Sequence, residues 1–154
     1  MDVFLIRHGA AIDETLELRD PSRHLTALGR TQAHGLGDRL RWHDCAPTHI
    51  WSSPLVRAVQ TAELVAAGLG ATELAVEIAP ALAPGESPRA VLASLHTLPG
   101  DASVLVVGHE PGLSALAALL VGAPDFAALA KAEAVRIIDG KLRWRFAWNA
   151  EAPS

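Results

Sequence analysis

Residues 3–9 read Val3-Phe4-Leu5-Ile6-Arg7-His8-Gly9, an apolar run that stops abruptly at an arginine, a histidine and a glycine. Bulky apolar residues without polar alternation are typical of a strand that is buried on both faces. Val104-Leu105-Val106-Val107 is the clearest second run of this kind, and Gly108-His109-Glu110 follows it directly. We therefore expect two buried strands, each with a histidine just beyond its carboxyl end.

The rest of the chain predicts helices that alternate with further strands. Thr26 is the predicted N-cap of a helix that runs to about Trp42, and Ser87 is that of a helix over 88–96. Pro54 can open another helix at its first turn. The remaining predictions are loops at 10–24 and 80–87, strands at 49–52 and 74–78, and helices at 54–68 and 111–120.

The C-terminal part predicts a hairpin. Two strand-like segments, 135–138 and 141–148, flank Asp139-Gly140, a dipeptide typical of a type I′ turn. In the second segment Leu142, Trp144, Phe146 and Trp148 alternate with Lys141, Arg143, Arg145 and Ala147, which predicts a half-buried strand with a solvated basic row. The chain is thus expected to have an α/β fold, a three-layer sandwich with a mostly parallel central sheet and a C-terminal antiparallel hairpin.

Composition narrows the function classes. The 154 residues suit a single domain over 1–154, and a net charge of −4 argues against non-specific nucleic-acid binding. Cys45 is the only cysteine, which excludes a disulfide within the chain and cysteine-cluster metal sites. No signal peptide or apolar membrane span is visible, so we expect a cytoplasmic protein without a membrane partner.

Charged residues that follow several strands are expected to share one crevice. Ligands of parallel α/β sheets bind beyond the carboxyl ends of the strands, where His8 and His109 would meet. Arg57 follows another strand end and would enter from the same side. Two arginines, Arg7 and Arg57, with two histidines favour a compact dianion, because guanidinium groups match phosphate oxygens in pairs.

Four blocks, in order along nearly the whole chain, resemble the histidine phosphatase superfamily, the phosphoglycerate mutase-like group. The short length is similar to that of the SixA-type phosphohistidine phosphatases. The matching blocks are Arg7-His8-Gly9, Arg23-His24-Leu25-Thr26 with Gly29, Ser52-Ser53-Pro54-Leu55-Val56-Arg57-Ala58-Val59-Gln60-Thr61-Ala62, and Val107-Gly108-His109.

The resemblance implies a role for each matching side chain. His8 would be the nucleophile and form a phosphohistidine intermediate, with its other ring nitrogen held by a backbone carbonyl. Arg7 and Arg57 would clamp the phosphoryl oxygens, and His109, if protonated, would add positive charge. Arg23 matches an arginine near the mouth of the site. This chemistry depends on positioning and charge neutralisation, so neither a metal nor another cofactor is expected.

The chain departs from the family pattern at two places. The connection at 83–88 lacks the motif that carries the general acid in mutase-type relatives, which leaves Glu86 as the candidate by region alone. His24 stands where SixA-type chains usually have proline, and we assign it no role. Ser53 is interpreted as a helix cap rather than as a site residue.

The resemblance therefore implies a phosphatase that acts on phosphohistidine in a partner protein, such as a phosphorelay or phosphotransferase component. A leaving imidazole needs less help from an acid than an alkoxide does, which fits the weak candidate Glu86. Two alternatives stay open: a phosphatase of small phosphate esters, and a non-catalytic module that binds phosphate or a phosphoprotein.

Overall fold

Strands and helices alternate through most of the chain. The computed structural model describes residues 1–16 and 18–154. The strands are β1 (Asp2–Arg7), β2 (His49–Ser52), β3 (Val76–Ile78), β4 (Ser103–Gly108), β5 (Glu133–Ile138) and β6 (Lys141–Ala147). The helices are α1 (Ala27–Leu40), α2 (Val56–Leu69), α3 (Pro88–Leu95) and α4 (Gly112–Val121), with short 3-10 helices at Asp20–Ser22 and Pro80–Leu82. Within the two described ranges, none of the helices is both long and apolar enough to cross a membrane.

The six strands form one mixed sheet in the order β3-β2-β4-β1-β5-β6. Strands β3, β2, β4 and β1 run parallel to one another, whereas β5 is antiparallel to β1 and β6 is antiparallel to β5. The predicted α/β fold with a mostly parallel sheet and a C-terminal antiparallel hairpin is therefore confirmed.

Strand β1 contributes to the core on both faces of the sheet. Phe4 and Ile6 pack on the side that carries α1 and α2. Val3 and Leu5 pack on the opposite side, against residues of α3 and α4. The absence of polar alternation in this run had predicted burial on both faces, and each of the four side chains is at most 2% exposed.

The helix starts follow local capping chemistry, with one difference from the sequence analysis. The Thr26 hydroxyl accepts a hydrogen bond from the Gly29 N–H, and the Ser87 hydroxyl accepts one from the Arg89 N–H, so both predicted caps are confirmed. The prediction that Pro54 opens α2 is wrong, because α2 begins at Val56. Residues 53–55 form the turn between strand and helix instead, as the Ser53 N–H still donates to the Val107 carbonyl of β4.

Strand β3 is also shorter than predicted and spans only Val76–Ile78. It pairs with residues 50–52 of β2. Leu74 and Ala75 precede the first paired residue, Val76, and lie outside the strand.

The C-terminal hairpin has the predicted turn, but the side chains of β6 do not alternate as predicted. Asp139 and Gly140 both have positive φ, 49° and 75°, as a type I′ turn requires. An irregularity in the β5–β6 register after Arg136 breaks the alternation of β6. Leu142 consequently lies 46% exposed, so its predicted inward orientation is wrong.

Arg145 is not part of a solvated row, which corrects a second expectation for this strand. Its guanidinium forms an ion pair with Glu133 at 2.6 Å. It also donates to the carbonyl oxygens of Ala127 and Ala128. Arg145 therefore fastens the segment that precedes β5 to the last strand of the sheet.

Helices α1 and α2 approach each other closely because glycines lie at their contact. A Cβ atom on Gly37 would come within 2.3 Å of the Val65 carbonyl oxygen, and one on Gly68 would come within 2.5 Å of the His34 carbonyl oxygen. Backbone atoms cannot move aside as a flexible side chain does, so only glycine permits this packing.

We expect Gly37→Ala to lower the free energy of unfolding by about 1–3 kcal/mol, because the added methyl group forces the two helices apart. Gly35→Ala, in the same helix, meets only the end of the Arg39 side chain at 3.3 Å. That control is expected to be neutral or to stabilise the protein by up to about 1 kcal/mol. Urea denaturation of both variants measures the difference, and equal effects would contradict the role of the close contact.

Candidate active site

Two buried histidines lie side by side at the carboxyl edge of the sheet. Parallel pairing of β1 with β4 places Arg7 opposite Gly108, so the residues that follow them, His8 and His109, are neighbours. Their ring centroids are 5.1 Å apart, and the residues are 7% and 6% exposed. The structure thus brings together two side chains that are a hundred positions apart in the sequence.

The position of the proton on neutral His8 follows from its backbone contact. Nδ1 lies 2.7 Å from the Gly9 carbonyl oxygen. A carbonyl oxygen can only accept, so Nδ1 carries the hydrogen and Nε2 keeps its lone pair. This is the ring orientation in which Nε2 can act as a nucleophile.

The turn after β1 is held in place from two sides. The Gly9 N–H donates to the Thr61 hydroxyl, and that hydroxyl donates to the Arg57 carbonyl oxygen of the same helix. A Cβ atom on Gly9 would lie 2.8 Å from the Gly29 carbonyl oxygen, which explains why glycine follows the histidine. These contacts fix the carbonyl that orients His8.

The environment keeps His8 uncharged. Burial lowers the pKa of its imidazole to about 4, and the positive charges of Arg57, Arg7 and Lys131 act in the same direction. The hydrogen bond to Gly9 opposes the shift but does not outweigh it. At neutral pH the lone pair on Nε2 is therefore available.

His109 is paired with a serine that also belongs to the turn before α2. Its Nε2 lies 2.7 Å from the Ser53 hydroxyl oxygen, which accepts a hydrogen bond from the Leu55 N–H. The Ser53 hydroxyl is then free to donate to Nε2, an arrangement that places the hydrogen of neutral His109 on Nδ1. The interpretation of Ser53 as a helix cap is wrong: the N-cap of α2 is Leu55, without a side-chain cap hydrogen bond, and the Ser53 hydroxyl pairs with His109 instead.

His109 is neutral in this structure, whereas the family resemblance suggested an added positive charge. Burial lowers the pKa of its imidazole to about 3, and His8 and Arg57 lower it further. A dianion close to the ring would favour the protonated form, because opposite charge raises a histidine pKa.

The two predicted arginines line the same edge and are anchored by backbone carbonyls. Arg7 donates from one terminal nitrogen to the Leu129 carbonyl oxygen at 3.0 Å. Arg57, 6% exposed, donates to the Asp20 carbonyl oxygen at 3.0 Å. The second terminal nitrogen of Arg57 also donates to the Asp20 carboxylate at 3.5 Å, so Asp20 contacts both ends of this guanidinium.

One carboxylate joins Arg57 to Arg23. The Asp20 carboxylate lies 3.3 Å from Arg57 and 2.9 Å from Arg23. Burial acts to raise the pKa of Asp20, but the hydrogen bond from Arg23 and the charge of Arg57 hold that pKa below its usual value. Arg23 also donates to the Ile12 carbonyl oxygen, which ties it to the segment after β1.

Buried donors without a partner are concentrated in this cluster. Among residues 1–16 and 18–154, four buried side-chain nitrogen or oxygen atoms make no hydrogen bond. Three of them are Arg7 Nε, Arg57 Nε and His109 Nδ1, and the fourth is Ser103 Oγ outside the site. An unpaired buried polar group costs about 1–3 kcal/mol, and three of these four costs fall on Arg7, Arg57 and His109.

The fifth predicted residue, Glu86, lies on a cavity next to this cluster. The cavity measures about 310 Å³, and both His109 and Glu86 form part of its wall. The Glu86 side chain is exposed to solvent, as the irregular connection between β3 and α3 would suggest. His24 lies outside the cluster, with its Nδ1 3.0 Å from the Leu25 carbonyl oxygen.

Sequence reasoning missed several groups that build the site. Thr61 lies one helical turn after Arg57, a spacing that places both on one face of α2 and had been visible in the matched block. Asp20 comes from a short 3-10 helix, and the Leu129 carbonyl and Lys131 come from the loop before β5, for which the sequence carried no comparable signal. In the described part of the chain, no three His, Cys, Asp or Glu side chains are grouped as a metal ion would need.

Comparisons with known proteins agree with this geometry. The family model described as histidine phosphatase superfamily (branch 1) matches residues 3–84. A phosphohistidine phosphatase SixA homolog of Haemophilus influenzae is 33% identical over 130 residues, which cover 79% of this chain and 78% of that protein. An uncharacterized protein of a Picosynechococcus strain is 37% identical over 116 residues, which cover 73% of this chain and 68% of the relative.

A solved structure of the protein histidine phosphatase SixA complexed with tungstate has the same fold. It superposes with a TM-score of 0.88 at 27% sequence identity, and the match covers 96% of this chain and 97% of that chain. The sheet and its helices are therefore those of the phosphoglycerate mutase-like fold.

The lowered histidine pKa values predict how stability depends on pH. The unfolded chain binds protons on His8 and His109 near their ordinary pKa of about 6.5, whereas the folded protein binds them only near pH 4 and below. The free energy of unfolding is thus expected to decrease as pH falls from 6.5 to 4 and to be insensitive to these groups above 6.5. His8→Gln and His109→Gln should each reduce the dependence of the free energy of unfolding on pH by the equivalent of up to about one bound proton. Thermal denaturation between pH 4 and 6.5 checks this prediction. If both variants keep the pH dependence of wild type, the lowered histidine pKa values are contradicted.

Proposed function

Because the chain belongs to the histidine phosphatase superfamily, we propose that it is a metal-independent phosphatase whose nucleophile is Nε2 of His8. The observation that carries this proposal is the neutral His8, with its lone pair on Nε2, beside three buried N–H donors that lack acceptors. Three phosphoryl oxygens offer the acceptors that these donors lack.

The first step of the proposed reaction transfers the phosphoryl group to the enzyme. The Nε2 lone pair forms a bond to phosphorus while the bond from phosphorus to the leaving nitrogen or oxygen breaks. A phosphohistidine that is protonated at its other ring nitrogen leaves as neutral imidazole and needs no further proton, whereas a leaving ester oxygen takes a proton from water or from a carboxyl group. Arg7, Arg57 and His109 neutralise the charge on the phosphoryl oxygens. Because negative charge favours imidazolium formation, the pKa of His109 rises when the dianion binds, which adds charge where it is needed.

The second step returns the enzyme to its starting state. A water oxygen forms a bond to phosphorus, the bond from phosphorus to Nε2 breaks, and inorganic phosphate leaves. The Gly9 carbonyl holds the Nδ1 hydrogen throughout, so His8 regains the same neutral tautomer. Positioning and charge account for the whole sequence without a metal ion or other cofactor.

We assign phosphohistidine in a partner protein as the substrate class. Two features support this choice: the similarity to a phosphohistidine phosphatase SixA homolog, and the solvent-exposed position of Glu86, the one candidate acid from the sequence. A phosphohistidine leaves as an imidazole, which needs less protonation than an alkoxide. A phosphorelay or phosphotransferase protein presents such a group.

The decisive test compares wild type with His8→Ala in the presence of a chelator. Wild type is expected to release phosphate from a phosphohistidine-bearing protein, and His8→Ala should lose at least about 10³-fold in rate, since the nucleophile is removed. His34→Ala, an exposed histidine on α1, serves as the matched control and should retain activity.

Two outcomes would overturn the proposal. Activity that persists in His8→Ala would exclude the histidine nucleophile. Binding of inorganic phosphate without turnover of the phosphohistidine protein or of an aryl phosphate would favour a non-catalytic binding module.

The second candidate, a phosphatase of small phosphate esters, is favoured by the place of Glu86 on the cavity that His109 also lines. If Glu86 donates the leaving-group proton, Glu86→Gln should slow alkyl phosphate hydrolysis by about 10²-fold. The same change should slow phosphohistidine hydrolysis much less. Paired rate measurements, with the exposed Glu73→Gln as control, distinguish the candidates, and full ester activity in Glu86→Gln would remove Glu86 as the acid.

A further inference from the structure

The cavity beside His109 differs in character from the cationic cluster that receives phosphate. Its wall is mainly apolar and includes Leu82, Val91, Pro111, Leu113 and Leu116. The connection between β3 and α3 forms one side, and the start of α4 forms the other. Since His109 belongs to both regions, whatever occupies the cavity lies next to the reacting phosphoryl group.

Two carboxylates, Glu86 and Glu110, stand at this apolar cavity. Glu110 is fixed in place, because its oxygens accept hydrogen bonds from the Ser114 N–H at 3.1 Å and the Ser114 hydroxyl at 2.6 Å. Glu110 lies just before α4, where the dipole of the helix favours negative charge. Its remaining acceptor positions are available to a positive group.

The two regions therefore select opposite charges. The phosphate cluster of Arg7, Arg57 and Arg23 is positive, whereas the adjacent cavity is apolar with negative charge at its wall. A single acidic ligand would match the first region and be repelled by the second. A segment that carries an apolar side chain and a basic side chain next to a phosphoryl group matches both.

We propose that this cavity is a specificity subsite for the partner protein, which receives an apolar side chain adjacent to the phosphohistidine and pairs a neighbouring lysine or arginine with Glu110. This inference rests on the proposed function and adds a sequence preference to it. Glu86, nearer the irregular connection, contributes further negative charge to the same cavity.

The test uses His8→Ala as the background, so that bound phosphohistidine peptides are not consumed. Two peptides share a phosphohistidine with a leucine next to it and differ only in a further neighbouring residue, which is lysine or glutamate. Each pair is made with these neighbours before the phosphohistidine and with them after it. We expect the lysine peptide to bind about fivefold more tightly at low salt, as one exposed ion pair allows. The difference should shrink as salt is added.

Glu110→Gln in the same background should abolish that difference. The matched control is Glu63→Gln, an exposed carboxylate on α2, on the opposite face of the sheet, which should leave the difference intact. Replacing the peptide leucine by alanine should weaken binding about tenfold, because an apolar side chain leaves the cavity.

Ala115→Phe provides a second, independent variant, because it places a ring in the cavity wall. It should weaken peptide binding while the affinity for inorganic phosphate, measured by calorimetry, stays the same. Equal binding of the two peptides, or a lysine preference that survives Glu110→Gln, would overturn the subsite.

Failure of the proposed function looks different from failure of the subsite. Wild type would then hydrolyse no phosphohistidine peptide of any sequence, whatever the binding preference of the His8→Ala background. Conversely, rapid hydrolysis of both peptides at equal rates with equal binding would keep the function and reject the subsite.

Discussion

Parallel pairing between β1 and β4 is the constraint on which the site depends. The register that places Arg7 opposite Gly108 also places His8 beside His109. In the same register the His8 N–H donates a hydrogen bond to the Gly108 carbonyl oxygen. A shift of one residue in β1 would turn its side chains to the opposite face of the sheet. The two core clusters, one on each face of β1, make such a shift costly, so the packing of the protein and the geometry of its histidines are set together.

The site holds several positive charges in a buried position, and neighbouring acceptor groups stabilise them. Backbone carbonyls of Leu129 and Asp20 accept from the two arginines, and the Asp20 carboxylate lies between Arg57 and Arg23. Burial, together with the same cations, lowers the pKa of both histidines and keeps them neutral. A free lone pair on His8 and a set of buried cations beside it are thus two results of one electrostatic arrangement.

Much of the fold and the centre of the site could be predicted from the sequence, because both follow from local patterns. Unbroken apolar runs locate β1 and β4, and parallel order brings the residues after them together. Asp20 and Leu129 could not be found in this way, since their positions depend on contacts with arginines that are distant in the sequence. The displaced start of α2 and the exposure of Leu142 have the same origin: pairing with a neighbouring strand, rather than local propensity, decides where each element ends.

Arg145 has a consequence for how this chain can be divided. It binds the Ala127 and Ala128 carbonyls, and the next residue, Leu129, supplies the carbonyl that holds Arg7. Strand β6 is therefore linked to Arg7 through a short stretch of backbone. The region matched by the family model ends at residue 84, well before this support. Chimeras that exchange the last third of the chain between relatives would take His8 from one parent and the contact that orients the neighbouring Arg7 from the other.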